Sequence, residues 1–203
     1  METAALLATA AAAFYGVLFI AMRLGAAPPA GARPGWVDCL AMLVAASVPL
    51  AWEIGAGRAS LRKIGFRAPR GGGRSAATTL ALSGAFVLYA ALLFALWRLR
   101  TPHLLSLGSF GPLAATCLCV ATAEEVVFRG VVQRRLTAVC GAVPALVIAA
   151  LVFAFLAHAH APLAMNLVFR LPAGLLLGYA YHRHRSLVPP IALHWALNMA
   201  AVS

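Results

Sequence analysis

Acidic residues are nearly missing from this chain. Among 203 residues only Glu2, Asp38, Glu53, Glu124 and Glu125 carry a carboxylate side chain, and charged residues of every kind make up 10%. Soluble domains run near 25% charged and about 45–50% apolar, whereas this chain is 63% hydrophobic, which makes it an integral membrane protein. Cysteine is equally sparse. Cys39, Cys117, Cys119 and Cys140 form no CxxC and lie in or beside apolar segments, so they read as small packing residues, not as a disulfide framework or metal site. HExxH, GxSxG and phosphate-loop sequences are absent too, which removes the most specific signatures of zinc peptidases, serine hydrolases and nucleotide-binding proteins.

Basic residues are plentiful, giving a formal net charge of +11. In a soluble chain that excess suggests nucleic acid. Here the bases sit in loops between apolar runs, so they read as topology determinants and contacts to anionic membrane lipid, with no nucleic-acid partner. The expected fold is all-α: one integral-membrane domain over residues 1–203, a polytopic bundle of about seven transmembrane helices with an intramembrane active site. The spans fall near Ala4–Leu24, Trp36–Ile54, Ala76–Trp97, Phe110–Leu136, Pro144–His158, Pro162–Tyr181 and Pro189 onward. The first lacks the basic start of a signal peptide and is kept as an anchor. Placing the basic Gly57–Ser75 loop in the cytoplasm puts eleven of the sixteen Lys and Arg residues inside. That bias predicts a cytoplasmic N-terminus and an external C-terminus. In the sixth span Gly174 and Gly178 make a small-xxx-small face suited to close helix packing.

Two of the five acids stand side by side within the fourth span. An ionised carboxylate at the bilayer centre costs roughly 2.5–3.5 kcal/mol even on insertion scales, so the pair reads as a functional site. Arg129 lies four residues after Glu125, one turn on and on the same face. Glu124 is rotated about 100° away and matches Arg129 less well. Glu125 and Arg129 are therefore the structural pair and Glu124 is free for chemistry. The plainer alternative is a helix end where all three reach water.

The remaining intramembrane polar residues are His158, His160, Asn166, Arg170, His194 and Asn198. His194 and Asn198 are four apart and share a face. His158 and His160 are two apart and point to nearly opposite sides of a continuous helix, so only one joins the site, and His158 is preferred because it falls inside the apolar run. Arg170, well inside its span, requires an anionic partner: an internal glutamate, a lipid headgroup or the carboxylate of a bound peptide. A carboxylate with two imidazoles supports two chemistries. Glu124 either draws a proton from water while imidazole and amide groups hold an oxyanion, with no cofactor, or joins two histidines as zinc ligands.

Three ordered motifs on separate spans resemble the CPBP family of intramembrane proteases, which includes CAAX prenyl endopeptidases and bacteriocin-processing and immunity proteins. They are Glu124-Glu125-xxx-Arg129, a histidine closing the next span, and His194-xxx-Asn198, in a similarity covering roughly Ala114 to Met199. Residues 110–203 would be the catalytic core and 1–98 the less characteristic spans. The resemblance implies that Glu124 activates water with the span 5 histidine, that His194 and Asn198 stabilise the oxyanion, and that Glu125 and Arg129 are structural. His160 and Arg170 are possible substrate contacts. It also implies glutamate-dependent proteolysis without a required metal. The family's Phe-xxx-His motif is out of register here: Phe153 lies five residues before His158, so their pairing needs one extra residue, a local bulge.

The expected partners are a peptide or protein substrate, such as a C-terminal sorting tail or peptide precursor, and membrane lipid. The expected location is a prokaryotic inner membrane. A non-catalytic immunity or scaffold protein would have no reason to carry the buried acids. A proton-coupled transporter is disfavoured by the absence of internal repeats.

Overall fold

In a computed structural model, residues 36–98, 110–159 and 161–202 are described. The Ala4–Leu24 span, the Ala26–Gly35 loop and His160 lie outside them. Every regular element among the described residues is helical: α1 (Trp36–Gly55), the short α2 (Leu61–Ile64), α3 (Gly73–Arg98), then four more that carry the polar motifs. Helix α4 starts as Phe110–Glu125, widens into a π-helical stretch at Val126–Gln133 and ends as Arg134–Cys140. Helix α5 is Ala142–Leu151 followed by π-helical Val152–Leu156. Helix α6 comprises Leu163–Met165, π-helical Asn166–Arg170 and Leu171–His184, and α7 is Val188–Val202.

Three helices, Gly73–Ala95 of α3, Gly111–Cys140 of α4 and Leu163–His184 of α6, are long and apolar enough to cross a membrane. The 22 residues of the last rise roughly 33 Å, against a hydrocarbon core of about 30 Å. Met42–Gly55 and Ala142–Leu156 are shorter apolar helices. Leu80, Leu88 and Leu92 of α3 point outward with more than half of each side chain exposed. In water such a stripe would be a patch for aggregation, and in lipid it is the solvent-facing side.

Helix α7 packs against α3, α4 and α6, while α5 lies along α6 and α1 along α4. One apolar core joins Ala90 and Phe94 of α3 to Ala173 and Leu177 of α6 and Leu193 and Leu197 of α7. The two glycines of α6 let its neighbours come close. A Cβ on Gly174 would meet the Ala150 Cα at 3.1 Å, and one on Gly178 would meet Gln133 Oε1 at 3.0 Å. Their carbonyls, left uncovered by the missing side chains, are used as well: Arg129 Nη2 donates to Gly174 O at 3.2 Å and Gln133 Nε2 to Gly178 O at 2.9 Å. The small-residue face thus supplies acceptors to polar side chains of α4 as well as room for α5.

The basic segments meet at one end of the bundle. Tyr181 donates to Ile64 O at 2.8 Å, Leu187 N to Gly65 O at 2.9 Å and Ser186 Oγ to Arg67 O at 2.6 Å. His184 is turned inward between Thr79 Oγ1, at 2.8 Å, and Arg70 O, at 2.9 Å. Arg134 and Arg135 do not simply face lipid. They grip Glu53 of α1, which is fully buried, Arg135 Nη2 at 2.6 Å and Arg134 Nη2 also in contact.

Candidate active site

Glu124 and Glu125 end the regular part of α4, immediately before the helix widens. Glu125 and Arg129 are fully buried and Glu124 nearly so. The four-residue spacing brings Arg129 Nε to 3.1 Å from Glu125 Oε2, an ion pair without good hydrogen-bond alignment. Arg129 also lies over the Phe153 ring at 4.9 Å, where the negative ring face adds to the compensation of its charge.

The second oxygen of Glu125 has a partner that spacing does not reveal. His194 of α7 places Nδ1 2.8 Å from Glu125 Oε1. A carboxylate paired with arginine is ionised and can only accept, so Nδ1 carries the proton and donates it. That leaves His194 Nε2 directed toward Glu124, 3.6 Å from its Oε2. Glu124 Oε2 itself is buried and has no hydrogen-bond partner among the described residues.

His158 is brought to the same place by the widened end of α5. Its Nδ1 is 2.8 Å from Phe153 O, an oxygen that only accepts, so Nδ1–H donates and Nε2 is the free nitrogen. A π-helical turn aligns residues five apart, where an α-turn aligns residues four apart. The extra residue between Phe153 and His158 is absorbed there. The two rings stack edge to face at 5.0 Å, and Phe153 meets the His194 ring at 5.7 Å. Phe153 is thus the aromatic partition between both imidazoles and Arg129.

Glu124, His158, His194 and Asn198 line one cavity of about 590 Å³, together with Arg170 and with apolar groups from α3, α6 and α7 such as Phe94, Phe169 and Leu197. Glu125 and Arg129 lie behind it. Volumes of about 300–1,000 Å³ are usual for sites that take small molecules or short peptide segments. Asn166, a residue that spacing alone did not single out for a role, ties two parts of the wall together: its Nδ2 donates to His158 O at 3.1 Å and its Oδ1 accepts from Arg170 Nη1 at 3.0 Å. Its position four residues before Arg170 was the available signal. Among the described residues no three His, Cys, Asp or Glu side chains are grouped closely enough to hold a metal ion.

Residues 106–200, which carry all of these side chains, match the family model described as Rce1-like type II CAAX prenyl endopeptidase. This segment is similar to the Rce1-like family. It is a protease family, and the matched range coincides with the part of the chain in which the three CPBP-type motifs occur. Comparisons with curated proteins and with solved structures gave no match. The match to the Rce1-like family model and the apolar helices together point to a membrane protein with the character of a hydrolase.

Proposed function

We propose that the protein is an intramembrane glutamic-type endopeptidase that hydrolyses a peptide bond near the C-terminus or membrane-proximal segment of a peptide or protein. The observation that carries this reading is Glu124 Oε2, buried without a hydrogen-bond partner among the described residues and facing His194 Nε2 across 3.6 Å at the wall of the cavity. Two acceptors at that separation suit a water that donates one hydrogen to each, leaving its lone pairs toward the substrate. Glu124 takes the proton as the water attacks the scissile carbonyl, and the free Nε2 of His158 can share it. Glu124 passes that proton to the facing His194 Nε2, and the resulting Nε2–H and the Asn198 amide donate to the oxyanion. The proton then returns to the leaving amine.

Glu125 supports this sequence by fixing the His194 tautomer and ring orientation through the Nδ1–H contact, as the buried acid of a triad does. The reaction as proposed needs no metal. Activity should survive prolonged chelation, whereas loss on chelation with recovery on adding zinc would favour the metalloprotease. The chain is proposed to cross the membrane seven times with the N-terminus cytoplasmic. The source of the substrate is proposed as a precursor peptide or a C-terminal sorting tail in a prokaryotic inner membrane.

The test compares peptide termini in membranes from cells expressing the wild type and Glu124→Gln, read by mass spectrometry. The proposal expects new C-termini and matching released fragments with the wild type only. Identical terminus profiles at matched expression would contradict it and leave a binding role.

A further inference from the structure

Among the described residues, Arg129, Arg134 and Arg135 are matched to carboxylates and Arg170 is not. Arg129 has Glu125, and Arg134 and Arg135 share Glu53. Arg170, half-buried in the π-helical turn of α6, has no carboxylate within ion-pair distance among the described residues. Its hydrogen-bond partner is the Asn166 side-chain oxygen, which engages Nη1. A guanidinium carries five N–H donors in a planar fork, so one neutral contact leaves most of its hydrogen-bonding capacity unused, and its charge is offset only at longer range by Glu124.

That fork is positioned. Asn166 is held in turn by His158 O, so the guanidinium and the backbone that carries the His158 imidazole are tied to one amide. Arg170 also lines the same cavity as Glu124, His194 and Asn198, not an outer face of α6. The rest of that wall is mostly apolar, with Met165, Phe169, Ala173, Leu177 and Leu197. A cationic fork beside a mostly apolar wall, in a chamber whose other polar groups are those of the Glu124 site, selects a ligand with a carboxylate at one end and apolar side chains beside it.

We propose that Arg170, oriented by Asn166, is the specificity residue that binds a carboxylate of the substrate peptide, and so sets the distance from that carboxylate to the bond presented to Glu124. The proposal rests on the peptidase reading of the cavity but concerns binding, which is measured separately. Arg170 is also what an enzyme cutting near a chain end requires, because a free terminal carboxylate distinguishes a tail from an internal segment.

Binding of acetyl-Ala-Val-Leu with a free carboxylate, of its C-terminal amide, and of the amide bearing glutamate in place of the last leucine tests this. The full-length protein is used in neutral phosphatidylcholine nanodiscs. The free acid is expected to bind at least about tenfold tighter than the plain amide. Arg170→Gln should abolish that preference and Arg170→Lys should keep part of it. Tight binding of the glutamate-bearing amide would assign the carboxylate to a side chain, and preference for the free acid over both amides to the chain end. Either supports the proposal. Equal binding of acid and plain amide, no binding of any peptide, or a preference that survives Arg170→Gln would overturn it. So would stabilisation of the wild type, but not Arg170→Gln, by phosphatidylglycerol without peptide discrimination, which would make Arg170 a lipid anchor. If the carboxylate preference holds but no cleavage is found, the binding site stands and only the catalytic reading fails. On a cleaved substrate, Arg170→Gln should raise KM about tenfold with kcat nearly unchanged.

Discussion

Glu125 is held by two partners of different kinds, and that decides what its loss does. Arg129 needs it as a counter-ion at full burial, and His194 needs it as the acceptor that fixes Nδ1–H. Glu125→Gln strands the Arg129 guanidinium in an apolar interior, which costs about 3–5 kcal/mol. Chemical unfolding in detergent should show a loss of that size, and a change below about 1 kcal/mol would mean that Gly174 O and the Phe153 ring suffice for Arg129. The pairing of Glu125 with Arg129 was legible in the sequence because it is a one-turn contact. The His194 contact was not, because it spans 69 residues and depends on how α7 meets α4. The same holds for Glu53, whose partners Arg134 and Arg135 lie 81 and 82 residues away. Such partners are set by helix packing, and no local spacing encodes them.

At the scale of the element, the π-helical end of α5 is the feature on which the site's second imidazole depends. The register of Phe153 and His158 in the sequence demanded one extra residue, and a turn of the wider helix provides it. Deleting the outward-facing Leu156 would leave Phe and His four apart, the spacing an ordinary α-turn aligns. Cleavage should then fall by no more than about tenfold, whereas inserting one alanine after Leu156 rotates the histidine by about 100° and should abolish it. Equal losses in the two variants would mean that the wide turn itself is needed. Helix boundaries were read to within a few residues, but the widening of α4 and α6 was not, because hydrophobic pattern reports which side chains are apolar and not how many residues complete a turn. Close packing at Gly130 is a second test at this scale. An added Cβ would meet Ile64 Cγ2 at 2.6 Å, so Gly130→Ala should destabilise by roughly 1–3 kcal/mol. Ile64→Ala should relieve part of that loss in the double variant, and strict additivity would place the strain elsewhere.

For the whole molecule, composition was enough to set the membrane class, and the three basic segments expected on one side do gather at one end of the bundle. The packing of α2 and the following loop against the Tyr181–Leu187 turn was not visible, because those hydrogen bonds are accepted by backbone carbonyls, which carry no sequence pattern. With Ser60→Cys as the sole cysteine, the proposed orientation expects labelling by an impermeant maleimide only after the membrane is opened. Labelling of intact cells would reverse the topology.

The central claim is that Glu124 supplies the proton-accepting group of a peptidase, and one comparison addresses it: the single-turnover cleavage rate of wild type and Glu124→Gln on the peptide identified from the terminus profiles, with unfolding of both followed in the same detergent. Because Glu124 Oε2 has no hydrogen-bond partner among the described residues, the substitution should leave stability nearly unchanged. The expected rate loss is at least about 100-fold, at the low end of what a positioned general base contributes. A folded Glu124→Gln that cleaves at the wild-type rate would contradict the account.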